Sequence, residues 1–134
     1  MGWRRSHLVL YHLLMVRSLR AGMTRRLPHG NRAILDVRKL EDYCLSASHP
    51  RGRYKARVFR ETLDLQRSDA PWLRDVLLEA ARSGQSSHFV TDAWGSHWRL
   101  DATIRRHGKS AVVRTIWIVR SGEDVPRSVT CWVL

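Results

Sequence analysis

The hydrophobic period of the chain changes at Gly84, and no all-helical or all-strand fold accommodates both halves. Before Gly84, apolar residues recur every three to four positions. The run DVRKLEDYCL predicts a first helix capped by Asp36, with Val37, Leu40, Cys44 and Leu45 on one side. A second helix of about 13 residues is predicted in HPRGRYKARVFRETLDL, with Pro50 in its first turn. SDAPWLRDVLLEAARSG predicts a third, capped by Ser68 or Asp69, with Pro71 in its first turn and Gly84 just past its end. After Gly84 the period becomes two. SSHFVTDA and HWRLDATI read as strands, His107-Gly108 as a tight turn, SAVVRTIWIVR as a central strand apolar on both faces, and RSVTCWVL as the last strand beyond the turn SGEDVP. The fold class expected is α+β, with about three N-terminal helices on a four-stranded antiparallel meander.

The predicted elements fill residues 27–134, one domain long enough to bury a core without disulfides or a metal. Residues 1–26 read as a basic extension, expected to be dispensable, in which Met23 is an alternative start. Its apolar run HLVLYHLLMV is too short to span a bilayer, where ~20 residues are needed. No small-residue cleavage site follows, and the arginines after it oppose export. Six of the 24 basic residues precede residue 27 and no acid does, so the body keeps a net +6 of the whole chain's +12. Such an excess suits a polyanion such as RNA. Cys44 and Cys131 stand alone among apolar neighbours, the pattern of buried reduced thiols in a cytoplasmic protein.

Lysine is rare here, three residues against 21 arginines, and Lys55 falls on an unexpected face. On a wheel of about 100° per residue with Tyr54 at zero, Lys55 lands near ~100°, between Thr62 and Phe59 on the inward side. Arg53 and Arg57 cluster on another flank, while Arg51 lies one turn before Lys55. His49 precedes the first turn. These cationic and titratable groups converge on a helix end whose free N–H groups favour an anion. A lysine can lose its proton when desolvated and an arginine cannot, so Lys55 is a candidate for proton transfer or charge stabilisation. It can equally snorkel along the core edge.

If Arg120 stands opposite Arg127 across SGEDVP, Trp117 faces Thr130 and Thr115 faces Trp132, a surface of alternating hydroxyls and indoles suited to phosphates and bases. Ordinary cross-strand packing is the competing account. Phosphate-loop, nucleophile-elbow and zinc patterns are absent, as are paired carboxylates at metal-binding spacing. No metal or cofactor is therefore expected.

The blocks HPRGRYKARVF and WIVRSGEDVPRSVT, with LPHGNRAILDVRKLEDYCL and APWLRDVLLEAAR, resemble an uncharacterised bacterial domain family. Its members are found in small two-gene cassettes, beside a small barrel-like partner, and at the C-termini of polymorphic-toxin-like proteins. The resemblance covers residues 27–134 and places His49, Gly52, Lys55 and Phe59, then Thr115, Trp117, Pro126, Arg127 and Thr130, on motif positions. The layout is similar to the barnase, EndoU, colicin and RelE group of ribonuclease toxins. That likeness implies a metal-independent endoribonuclease with His49, Lys55, Arg127, Thr115 and Thr130 as catalytic candidates. Arg51, Arg53, Arg57 and Trp117 would bind RNA, and a small antitoxin or immunity-like protein would be the partner. The compact TDAWGSHW leaves His88 and His97 without a role. The alternative is a non-catalytic nucleic-acid- or partner-binding module of the same cassette.

Overall fold

The computed structural model describes residues 24–134. Three helices precede the long strands, as the period predicts: α1 (Val37–Lys39, prolonged by a π-helical turn, Leu40–Cys44), α2 (Gly52–Leu63) and α3 (Ala70–Ser83). Asp36 caps α1 through the Arg38 N–H at 3.0 Å. Asp69 instead accepts the Gln66 N–H at 2.9 Å, closing the short 3₁₀ turn that leads into α3.

The sheet holds five antiparallel strands in the spatial order β1-β2-β3-β4-β5, where four were expected, one ahead of the helices in the chain and four after them. Four are the predicted ones, β2 (Gln85–Asp92), β3 (Gly95–Arg106), β4 (Lys109–Arg120) and β5 (Pro126–Val133). The fifth, β1 (Arg25–Arg26), sets Arg25 opposite Ser86 and Arg26 opposite Gln85. Two residues are too few to carry an alternating pattern, so only the pairing reveals this strand. It draws into the sheet two residues assigned above to the basic extension. The remaining expectations for that extension, including its dispensability and Met23 as a start, fall on residues 1–23, outside the described residues. Among the described residues no helix is long and apolar enough to cross a membrane.

The helices pack on one face of the sheet. α2 buries Ala56, Phe59 and Leu63, and α3 buries Ala70, Leu73, Leu77 and Ala81 against Trp98, Leu100, Ile104, Val113 and Trp117. Burying a ring such as Phe59 contributes about 1.5–3 kcal/mol. A smaller cluster of Ile116, Ile118 and Val129, with Phe89 and Trp132 against it, occupies the other face of the sheet. That explains why β4 reads as apolar throughout.

The register of the last hairpin differs from the expected one. Ile118, not Arg120, stands opposite Arg127, and an irregularity between Ser128 and Thr130 shifts the pairing so that Thr115 faces Cys131 and Trp117 faces Ser128. The connection is longer than a tight turn, and a bulge costs nothing that a sequence count can detect. The alternating hydroxyl and indole surface is therefore not formed.

Candidate cationic site at the sheet edge

α2 begins under the control of His49. Its Nδ1 accepts the N–H groups of Arg51 at 3.1 Å and Gly52 at 2.9 Å, and its carbonyl accepts that of Arg53 at 3.0 Å. With Nδ1 so engaged, the proton of the neutral ring sits on Nε2. The imidazole also stands edge-on to Tyr43, 4.7 Å between centroids, and the His49 N–H donates to Ser46 Oγ at 3.2 Å. The first free N–H groups of the helix, expected to receive an anion, are satisfied by His49 itself. Gly52 completes the junction. A Cβ there would collide with the Tyr43 carbonyl, so only glycine lets α2 start this close to the end of α1.

That close approach sets Lys55 beside Tyr43 and Cys44. The stem of Lys55 is half-buried on the flank of α2, and its Nζ donates to Thr130 Oγ1 at 3.0 Å. The ammonium lies 5.0 Å from the Tyr43 ring centroid and 5.1 Å from that of Trp132, within cation–π range. Burial pushes its pKa down, partly offset by the thiols of Cys44 and Cys131. Both cysteines are free and buried. Cys44 Sγ is 4.0 Å from Thr130 Oγ1. A hydrogen bond from Cys131, aided by the Lys55 charge, draws the Cys44 thiol below the ordinary range against the effect of burial. The same bond and burial push Cys131 up.

A second lysine converges on the same strand, and the sequence reading passed over it. Lys39 on α1 donates from Nζ to the Ser128 carbonyl at 2.5 Å. Burial lowers its pKa to about 8, reinforced by Arg120 and Arg127 and opposed by Asp36. Ser128 and Thr130 are two residues apart, so the two ammonium groups meet β5 at points ~7 Å apart along the strand. The scarcity of lysine that singled out Lys55 applied equally to Lys39 and was the signal available.

The other candidates separate into groups. Arg127 belongs with Lys39 and Arg120, and its Nε contacts Glu123 Oε2 at 3.0 Å. Thr115 and Trp117 are sealed in the core at 1% and 0% exposure. Thr115 Oγ1 donates to the Leu100 carbonyl at 2.7 Å and accepts the Trp117 indole N–H at 2.8 Å. This internal clasp leaves neither group a face for a ligand. Arg51 is half-buried, and Arg53 and Arg57 are exposed on the flank away from Lys55. His88 Nε2 lies 2.9 Å from Thr91 Oγ1, and His97 is buried with Nε2 3.0 Å from Asp92 Oδ1. That carboxylate oxygen also accepts the N–H groups of Trp94 and Gly95 in the hairpin turn. Among the described residues no cluster of three or more His, Cys, Asp or Glu is placed to hold a metal ion.

The fold is similar to a chain of a contact-dependent growth inhibition toxin and immunity protein complex from Klebsiella pneumoniae 342, with a TM-score of 0.54 and 16% identity over 75% of this chain and 99% of that one. No curated protein matches the chain. A family profile described as "Domain of unknown function (DUF6883)" matches residues 26–134, which span the described elements from Arg26 onward, and the chain belongs to that family.

Proposed function

We propose that the chain is a toxin-like endoribonuclease that cleaves RNA without a metal, acting at the lysine pair on β5. The observation that carries this reading is Lys55, an ammonium held half out of water between two aromatic rings and fixed by Thr130. In the reaction the RNA 2′-oxygen bonds to its own phosphorus while the bond from phosphorus to the 5′-oxygen breaks. A base takes the 2′-hydroxyl proton and an acid returns one to the 5′-oxygen, leaving a 2′,3′-cyclic phosphate. Lys39, with a pKa of about 8, carries both protonation states near neutral pH and suits the proton transfers. Lys55 stabilises the charge on the phosphorane oxygens. Thr130 positions its ammonium, and Arg127 clamps the phosphate by exchanging Glu123 for it. His49 holds the helix end and offers Nε2–H as a donor.

The alternative is a binding module. It draws on Thr115 and Trp117 being closed on each other and on His49 Nδ1 being engaged in the backbone. In either reading a small cognate immunity-like protein is the expected protein partner, supported by the resemblance to a toxin and immunity complex.

Inducing the chain in cells and mapping new RNA ends decides between the two. Growth arrest with ends bearing 2′,3′-cyclic phosphates is expected, and Lys55→Met should slow cleavage on the order of 10²-fold. Intact RNA and undisturbed growth at high expression leave the binding module.

A further inference from the structure

On the flank of α2 away from Lys55 lies a groove of about 720 Å³ between the helix and the segments around Leu45 and Leu65. Its floor is apolar, and its rim carries Arg53, Arg57, Arg60 and Arg67. Arg67 is neutralised by Asp42 at 3.1 Å and Glu41 at 3.8 Å. Arg57 and Arg60 are exposed and, among the described residues, make no ion pair with an acid. They stand on one ridge of the helix, three positions apart, with Arg53 four positions before Arg57. Tyr54 adds a ring that is 56% exposed. Arg53 fixes it, with its guanidinium 4.9 Å from the ring centroid and Nη2 donating to the phenol oxygen at 2.9 Å.

Each part matches a feature of one ligand class. Unpaired arginines spaced along a helix follow a phosphodiester backbone, and a fixed, exposed ring offers a base its stacking face. A duplex keeps its bases stacked and paired, so it has no face to give Tyr54. An acidic peptide would use the arginines and leave the ring idle. We infer that the groove binds a single-stranded nucleic-acid segment, with Arg57 and Arg60 on its phosphates and a base stacked on Tyr54. This goes beyond the cleavage proposed at β5 and does not depend on it, since binding here would hold for a nuclease and a binding module alike.

The test is fluorescence anisotropy of the full chain with a labelled single-stranded RNA 12-mer, its DNA counterpart, a duplex, and poly-glutamate. Single strands should bind tighter than the duplex, and comparison of RNA with DNA identifies which strand the groove prefers. Arg57→Gln with Arg60→Gln should flatten the log–log salt dependence by about 1.4, two contacts at ~0.7 each for a single strand. Tyr54→Ala should weaken single-strand binding about fivefold or more, while Tyr54→Phe keeps it. Arg26→Gln with Arg105→Gln removes the same charge from exposed positions elsewhere and should have the smaller effect. All are surface changes, and unchanged thermal melting confirms that the variants are folded. Equal losses in the two arginine pairs would reduce the groove to diffuse surface charge. Poly-glutamate binding as tightly as RNA, with Tyr54→Ala without effect, would assign it to an acidic protein. Either result overturns the inference.

Discussion

At the scale of single residues, the features that draw attention in the sequence have structural and chemical uses that can be separated by choice of substitution. His49 caps α2, so His49→Ala should cost about 1 kcal/mol and lower the melting temperature. His49→Asn should recover much of that stability, because an amide oxygen can take the same N–H groups. The proposed RNA cleavage, retained in the Asn variant, would reduce His49 to a cap, whereas its loss in a stable variant would give the imidazole a chemical part. Thr130→Val keeps the shape of the side chain but removes the oxygen that receives Lys55. The ammonium is left half-buried without that acceptor, at a cost of about 1–3 kcal/mol read in denaturant unfolding. Lys39 supplies a pH signature. Its pKa falls from 10.5 to about 8 in the fold, so between these values the unfolded chain binds more protons than the native one. Stability is therefore expected to rise as pH climbs from about 8 to about 10.5, by on the order of 1 kcal/mol once solvent screening is counted. The rise should be absent from Lys39→Met in unfolding curves taken across that window.

At the scale of elements, the site depends on two local devices. One is the contact between the end of α1 and the start of α2, which only Gly52 permits. Gly52→Ala should force the helices apart and cost about 1–3 kcal/mol, as an overpacked junction does. Because Lys55 follows on the same helix, the variant should also lose the proposed cleavage beyond what its melting temperature explains, and a Lys55–Thr130 contact surviving in its structure would refute that coupling. The other device is the irregularity in β5 between Ser128 and Thr130, which brings Thr130 to Lys55 while Trp117 still faces Ser128. The elements themselves were legible. Three helices and four strands were readable from period, caps and turns, since each signal is local. β1 was not, because a two-residue strand exists only through its pairing with β2.

At the scale of the whole molecule, β1 ties the start of the described chain to the far edge of the sheet. The Arg25 carbonyl accepts from Ser86 Oγ at 2.7 Å, and the Arg25 guanidinium lies 4.7 Å from the Trp98 ring centroid. A chain beginning at Met23 should therefore melt at a higher temperature than one beginning at Leu27. Equal melting temperatures would show that β1 adds nothing to the domain. By itself the sequence determined the α+β class, the succession of three helices and four long strands, the basic character of the body and the inward position of Lys55, because period, capping and charge are properties of neighbouring residues. Tertiary structure decided the rest. Thr115 and Trp117 became a sealed clasp instead of a binding face, Lys39 joined Lys55 on β5, and Arg53, Arg57 and Tyr54 turned to a groove on the opposite flank of their helix. These outcomes rest on strand register and on how closely two helices approach. Both are settled by contacts between residues far apart in the chain, which no local pattern encodes.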